Sequence, residues 1–326
     1  MVLLAASAVF YLGGGYDRWQ DGRSLAGLCH GSLDTAEVDA FLGVDRLRGR
    51  DADAPEGLAA CSAVNADRAG AGFLEVRVGR GPEAVGRALH ALQRERPDIA
   101  TSMAMPFGHG RRGVLDLQGR GGVLAVLAPD CVGGSGDLVV TVTGVPVKAG
   151  VEDPVQRARF ARIAARAADG AARVWGCSPG SGPEVTDVPA DSRYVKVPDG
   201  RAGGTCAGLS GTTGESPADP AAPVEDCFLF AGDDTPRFRL GAYYPPFAAV
   251  LPGVAGYRVT GPAGSRDGLA WATAACPGGA TALYTVDTVD DGHRIAAPAP
   301  ALEQDALRTF ATRSARSHGC SAPQLP

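Results

Sequence analysis

The stretch Cys131-Val132-Gly133-Gly134-Ser135-Gly136-Asp137-Leu138 decides how this chain is organised, because a related stretch occurs later in the sequence. The later stretch is Cys276-Pro277-Gly278-Gly279-Ala280-Thr281-Ala282-Leu283. Both follow the pattern Cys-x-Gly-Gly-x-x-x-Leu, and Leu124-Ala125 recurs at the same offset as Leu269-Ala270. Short sequence motifs that recur at a fixed distance predict an internal tandem duplication.

The eight cysteines fall into two quartets that keep the same order along the chain. The even count and the lack of a Cys-x-x-Cys pair favour structural disulfides, and therefore a location outside the reducing cytoplasm. Two separate quartets leave a few pairings open, of which we favour first with second and third with fourth in each. The quartets are Cys29, Cys61, Cys131 and Cys177, then Cys206, Cys227, Cys276 and Cys320.

Strands are predicted on both sides of the repeated stretch in each copy. The segments there are rich in apolar and β-branched residues and are bounded by glycines, a pattern typical of antiparallel neighbours joined by a turn. These predicted strands are residues 122–128 and 137–143 in the first copy, and 269–275 and 280–288 in the second. Three further strands are predicted at residues 72–78, 226–230 and 237–243.

A helix is predicted to follow the last strand of each copy. The first covers residues 153–175, with Asp153 as N-cap and Pro154 at the first helical position; the second covers 301–317. Two earlier helices are predicted at residues 34–42 and 82–95. The fold class is therefore α+β, with two tandem related modules, each an antiparallel sheet with a disulfide-stapled C-terminal helix packed on it.

The domain boundaries follow from these elements and from composition. We expect an N-terminal segment at residues 1–20, a first module at 21–177 and a second at 206–326. Residues 178–205 are rich in Pro, Gly, Ser and Asp, which is typical of a linker.

Residues 2–12 (VLLAASAVFYL) are apolar and uncharged, and three glycines and a polar segment follow them. A membrane-spanning helix needs about 20 apolar residues, so we interpret residues 1–20 as a truncated membrane anchor whose natural start lies upstream. The positive-inside tendency would then place the rest of the chain outside the cell membrane, as a single-pass protein. A buried first strand or helix is the alternative interpretation.

The composition argues against nucleic acid as a partner and is typical of one group of bacterial proteins. A net charge of −5 gives no overall basic field for nucleic acid. Two of the 31 basic residues, Lys148 and Lys196, are lysines, and Ala, Gly and Pro are abundant. In this the chain resembles membrane-anchored or secreted cysteine-containing proteins of high-GC Gram-positive (actinobacterial) bacteria. The resemblance is one of composition, and it supplies no catalytic residue.

Two short segments match sequence motifs of nucleotide-binding proteins and hydrolases. Gly79-Arg80-Gly81-Pro82-Glu83-Ala84 fits G-x-G-x-x-A between a predicted strand and helix, but no parallel strand ending in an acid follows. We interpret it as a strand-to-helix turn. Gly176-Cys177-Ser178-Pro179-Gly180 fits G-x-S-x-G, but it ends a predicted helix and contains a disulfide cysteine, so we interpret it as a helix end and exit loop.

The remaining titratable motifs give no metal or catalytic prediction. The five histidines have no metal-ligand spacing, and we expect His318 to cap the last predicted helix. Asp287, Asp290 and Asp291 lack the alternation of a calcium loop and are interpreted as a hairpin turn. We therefore predict no catalytic residue, no cofactor and no metal site.

One helix face is a candidate anion-binding site. Arg159, Arg162, Arg166 and Arg173 share a face of the first C-terminal helix, and the second copy lacks this stripe. Arginine forks suit phosphate and carboxylate groups, whereas a solvated helix face is the plainer alternative.

The expected function is binding without catalysis. We predict a membrane-tethered extracytoplasmic protein whose modules bind an envelope protein or an anionic wall or lipid component. One alternative is an exported hydrolase with a site between the modules, where Glu225, Asp226, Asp233 and Asp234 would converge. The other is a structural spacer without a ligand.

Overall fold

A computed structural model describes most of the chain. The described residues are 15–25, 27–52, 54, 57–67, 71–95, 103–131, 137–192, 195–232, 235–255, 257–266, 268–289 and 299–326. The apolar run at residues 2–12 lies outside them, as do Gly133, Gly134, Asp233, Asp234, Asp290 and Asp291.

The chain forms a mixed α+β structure with two antiparallel sheets and four disulfides. The first sheet has seven strands in the order β1-β2-β3-β7-β6-β5-β4. These strands are β1 (Leu47–Ala52), β2 (Ala59–Asn65), β3 (Phe73–Arg80), β4 (Met105–Pro106), β5 (Gly113–Gln118), β6 (Gly122–Leu127) and β7 (Leu138–Val145). The strands predicted at 72–78, 122–128 and 137–143 are thus confirmed as β3, β6 and β7.

The second sheet has six strands in the order β11-β12-β13-β10-β9-β8. They are β8 (Thr213–Glu215), β9 (Val224–Phe230), β10 (Pro236–Tyr243), β11 (Ala263–Arg266), β12 (Leu269–Ala275) and β13 (Thr281–Thr288). The predicted antiparallel pair at 269–275 and 280–288 is confirmed, with Leu269 opposite Asp287 in the register of β12 and β13.

The described helices are α1 (Gly15–Leu25), α2 (Leu28–Gly31), α3 (Thr35–Leu42), α4 (Gly81–Ala91), α5 (Pro154–Val174), α6 (Phe247–Val250) and α7 (Pro300–Ser317). The sequence explains where α5 begins: Asp153 is its N-cap and accepts a hydrogen bond from the Val155 N–H at 2.8 Å. Asp34 caps α3 in the same way, and Gly43 ends that helix in the left-handed conformation.

The four disulfides confirm the pairing of first with second and third with fourth cysteine in each quartet. Cys29–Cys61 joins α2 to β2, and Cys206–Cys227 joins a loop to β9. Cys131–Cys177 and Cys276–Cys320 each connect the turn after β6 or β12 to the end of α5 or α7.

Helices cover the outer faces of the sheets, and the inner faces pack together. Helices α3 and α5 pack on one face of the first sheet, and α7 packs on one face of the second. A third hydrophobic cluster draws residues from both sheets, including Val114, Leu124 and Val126 from β5 and β6 and Tyr243 and Trp271 from β10 and β12. This shared core also contains α4 and α6, so the two sheets are joined by buried apolar side chains.

Close approach of helices to the first sheet requires a small residue on β7. A Cβ built on Gly144 would lie 2.7 Å from the Phe41 ring of α3 and 2.9 Å from the Phe160 ring of α5. Glycine therefore lets both rings lie directly against the strand.

The segment predicted as a linker is irregular but packed. Val185 and Val188 are buried in the core of the first sheet, and the Val188 carbonyl accepts a hydrogen bond from Arg157 Nε at 3.0 Å. Val197 forms an isolated bridge with Thr213 of β8. Residues 178–192 thus lie on the first sheet before the chain enters the second.

None of the helices in the described part of the chain is both long and apolar enough to cross a membrane. Of the anchor predicted at residues 1–20, residues 15–20 form the start of α1. The apolar run at residues 2–12 lies outside the described part, so its membrane role stays a prediction.

Candidate ligand-binding groove

One half of the inner face of the first sheet is not covered by the second sheet. The face is built of three rows of side chains across β1, β2, β3 and β7. Over β5 and β6 the same face is buried, at Val114, Leu124 and Val126. The rows are Ala52-Ala60-Arg77-Thr141, Arg50-Ser62-Glu75-Thr143 and Arg48-Val64-Phe73-Val145.

Helix α4 stands beside this open half and turns it into a groove of about 400 Å³. Half of the residues that line the groove are alanine or glycine, which is why there is room above the strands. The volume lies within the range of small-molecule sites, which begins at about 300 Å³. The small residues are Ala52, Ala54, Gly57, Ala59, Ala60, Gly79, Ala84 and Ala91.

Polar groups stand on the floor and rim of the groove. Thr141 and Thr143 of β7 are half-buried on the floor. The Arg77 side chain is 63% exposed, and its guanidinium pairs with the Glu75 carboxylate, at 2.7 Å from Nε. Arg87 and His90 of α4 line the opposite side. The groove therefore offers hydroxyl and guanidinium donors around a small apolar floor.

A glycine lets the Arg87 side chain lie over the end of β3. A Cβ on Gly79 would be 3.2 Å from Arg87 Nη2 and 2.7 Å from the Ala84 Cβ. Gly79 is the first residue of the segment 79–84, which matches the dinucleotide-binding motif. Strand β3 ends at Arg80 and α4 begins at Gly81, which confirms the interpretation of that word as a strand-to-helix turn.

Three of the four arginines predicted to bind anions form ion pairs within the protein. Arg159 and Arg162 of α5 both contact Glu37 of α3, each at 3.4 Å. Arg166 pairs with Asp34 and with Glu184. Arg173 is exposed near the end of α5. The arginine stripe thus holds α3 against α5, and its charge is largely balanced by these carboxylates.

Of the four acids proposed to converge in an active site, Asp233 and Asp234 lie outside the described residues, and Glu225 and Asp226 point in opposite directions. Glu225 and Asp226 are neighbours on β9, so their side chains lie on opposite faces of the second sheet. Glu225 faces α7, where its carboxylate accepts hydrogen bonds from Arg313 at 2.8 Å and Ser314 at 2.6 Å. Asp226 faces the shared core between the sheets.

Asp226 is the centre of a buried charge cluster that connects the two sheets. Arg94, which follows α4, donates two hydrogen bonds to its carboxylate, at 2.9 and 2.7 Å. Arg239 of β10 approaches the same carboxylate at 3.4 Å from Nε, and the Ala104 N–H donates to it at 2.6 Å. All three charged side chains are fully buried. Burial alone would lower the pKa of Arg94, but the Asp226 charge raises it.

Asp287 belongs to this cluster and not to a hairpin turn, so the interpretation of Asp287 as a turn residue is wrong. It lies in β13, directly opposite Arg239 of β10, and is almost fully buried. Burial raises the pKa of its carboxyl group to about 7, although the Thr285 hydroxyl and the Arg94 charge oppose the rise. Tyr243, whose hydroxyl lies 3.2 Å from that of Tyr257, also has its pKa raised by burial, to about 12.

His318 acts at the end of α7, as predicted. It is the C-cap residue, and its Nδ1 lies 3.1 Å from the Ser314 carbonyl oxygen. Its Nε2 lies 3.2 Å from the Ala222 carbonyl oxygen, and its ring stacks on Tyr244 with centroids 3.6 Å apart. The histidine therefore connects α7 to the segment before β9.

Other motif interpretations agree with local structure where it is described. Helix α5 ends at Val174, and Gly176 has the left-handed conformation. The segment 176–180 that matches G-x-S-x-G therefore follows the end of a helix, as interpreted from the sequence. Among the described residues, no group of three or more His, Cys, Asp and Glu side chains is arranged to hold a metal ion. Sequence reasoning missed the groove, because only the pairing of β1, β2, β3 and β7 brings its residues together.

No family model, curated protein or solved structure matches this chain.

Proposed function

We propose that this chain is a membrane-tethered, extracytoplasmic, non-enzymatic binding protein that holds an anionic polymer of the cell envelope in the groove beside α4. The four disulfides support an oxidising location, since structural disulfides persist outside the reducing cytoplasm. The apolar sequence at residues 2–12 supports the tether.

We further propose that the two halves are related modules that arose by duplication. Strand order supports this: β1-β2-β3-β7-β6-β5 in the first sheet has the same connectivity as β8-β9-β10-β13-β12-β11 in the second. Local contacts agree as well. Ser178 N–H donates to the Asp130 carbonyl and Ser321 N–H to the Ala275 carbonyl, both at 2.7 Å, each pair flanking the equivalent disulfide.

The groove is the observation that carries the proposed binding role. Its floor is made of strands, so it is rigid, and its small side chains leave space for a chain of sugar or polyol units. Arg77 reaches solvent on its rim, and arginine forks match phosphate geometry. The α5 stripe is a weaker candidate, because Glu37, Asp34 and Glu184 already occupy three of its four arginines.

The proposal is tested by the binding of poly(glycerol phosphate) to the full-length chain in detergent, with neutral dextran as the comparison polymer. Replacing Arg77→Gln is expected to weaken binding of the phosphate polymer about ten-fold, since a charged hydrogen bond contributes on the order of 1.5 kcal/mol. Glu75→Gln is expected to strengthen binding, because the carboxylate competes with the polymer for Arg77.

Arg173→Gln is the matched control, since it removes the same charge from the exposed end of α5 on the other face of the sheet. It is expected to leave binding unchanged. Equal effects of Arg77→Gln and Arg173→Gln would show that only net charge matters, and the groove assignment would be wrong. Equal binding of dextran and the phosphate polymer would contradict an anionic ligand, and capture of an envelope protein by the groove would replace the polymer with a protein partner.

A further inference from the structure

Helix α1 has two faces with different partners. Its inner face is docked on β1, the edge strand of the first sheet. Asp21, which is 4% exposed, accepts a hydrogen bond from Arg48 Nε at 2.8 Å and also pairs with Arg46. The Ser24 hydroxyl accepts a hydrogen bond from the Gly49 N–H at 2.8 Å. Side-chain ion pairs and a backbone hydrogen bond thus fix α1 to the sheet.

The outer face of α1 carries aromatic and cationic side chains, of which Trp19 and Arg23 are exposed. Tyr16, Trp19 and Arg23 recur at helical spacing, so they share this face. Tyr16 is 36% exposed and Trp19 is 51% exposed, and their ring centroids are 5.9 Å apart. The Arg23 guanidinium lies over the Trp19 ring, 4.7 Å from its centroid. We call these three residues the aromatic face of α1.

The aromatic face lies at the point where the apolar sequence ends. Helix α1 begins at Gly15, three residues after the last residue of the run at 2–12. Tyr and Trp are enriched where a membrane meets water, because each has an apolar ring and a polar group. An arginine at the same level meets lipid phosphates. Composition, exposure and position along the chain therefore agree on one partner.

We propose that the aromatic face of α1 lies in the head-group layer of a phospholipid membrane. The inference rests on the tether in the proposed function and adds the surface that faces the bilayer. Because α1 is docked on β1, the contact orients the whole first sheet.

The test uses the full-length chain reconstituted into phosphatidylcholine–phosphatidylglycerol vesicles that contain lipids brominated near the head group. Bromine quenches tryptophan fluorescence at short range. The signal of Trp19 is the difference between the wild type and Trp19→Phe, since Trp175 and the buried Trp271 remain in both. We expect this difference signal to be lost in brominated vesicles and retained in unbrominated ones.

A second variant controls for exposed tryptophan as such. Leu302 is 40% exposed on α7, on the far side of the second sheet. A tryptophan introduced there as Leu302→Trp, together with Trp19→Phe, is expected to escape quenching. Near-ultraviolet circular dichroism and intact disulfides establish that each variant is folded.

The outcomes separate this inference from the tether itself. A chain that floats with the vesicles but whose Trp19 signal survives bromination would overturn the membrane contact of α1 and leave the tether standing. A chain that does not float with vesicles would overturn the tether and, with it, the contact. Quenching of the tryptophan at position 302 equal to that of Trp19 would show collisions that carry no orientation, which also contradicts the inference.

Discussion

Replacing Asp287→Asn is expected to change how the stability of this protein depends on pH. Asp287 is 2% exposed between the two sheets, and burial raises its pKa from the ordinary 3.8 to about 7. Between these values the folded protein holds a proton that the unfolded chain has released. The free energy of unfolding therefore falls by about 1.4 kcal/mol for each pH unit as the pH rises through this window.

The size of the stability change follows from the pH interval between the unfolded and folded pKa values of Asp287. Three pH units correspond to on the order of 4 kcal/mol of stability, present below the unfolded pKa and lost as the pH rises to the folded pKa. Asparagine has the same shape and does not titrate. We expect Asp287→Asn to gain stability relative to the wild type between pH 4 and pH 7, with a constant difference above pH 7.

The assay is urea unfolding of both proteins at several pH values with the disulfides intact. Asp305→Asn serves as the control, because the Asp305 side chain is 69% exposed on α7; we expect its effect to stay within about 0.5 kcal/mol at every pH. A pH-independent difference between wild type and Asp287→Asn would refute the raised pKa. A difference of opposite sign would show that Asp287 is ionised in a stabilising pair with Arg239, its cross-strand neighbour.

Two further predictions concern packing against the first sheet. Gly144→Ala is expected to lower the free energy of unfolding by about 1 to 3 kcal/mol, because it forces a methyl group against Phe41 and Phe160. Thermal unfolding measures the loss. Gly150→Ala is the control and should leave stability unchanged, since a Cβ there has its nearest contact at 4.0 Å. Arg162→Glu is expected to lower stability by about 1 kcal/mol by placing a carboxylate next to Glu37, while polymer binding stays unchanged. Chemical denaturation and polymer titration check this second prediction, and weakened binding by a fully stable Arg162→Glu protein would return the ligand site to α5.

Much of the fold could be predicted because its strongest elements carry local signals. Asp153 and Pro154 mark the start of α5, and β12 has the bounds read from the sequence. Strands β1 and β2 were missed, because LRGRDA and AACSAVN lack a run of large apolar residues. Strand β2 is recognised only through its pairing with β3, which supplies the apolar neighbours, and β1 only through its pairing with β2.

The candidate site was less predictable, because charges find their partners over long distances in sequence. Arg94 and Asp226 are 132 residues apart, and neither has a local sign of burial. The α5 arginines looked free for a ligand, since Glu37, their main partner, lies 125 residues before Arg162. The groove depends on small residues of β1, β2, β3 and α4 and of the segment after β1, and alanine and glycine carry no chemical signal of their own.

The placement of the disulfides has a mechanical consequence. Each bond closes a loop, and the loops span separations of 32, 46, 21 and 44 residues. Under a pulling force such loops cannot lengthen. The largest loop alone reduces the length to which the chain can be stretched by about 150 Å, at about 3.4 Å per residue. A protein fixed to a membrane at one end and to a polymer at the other would yield only through its unlooped segments. Residues 62–130 and 228–275 lie outside the loops, so the chain would extend through them while the looped segments stay closed.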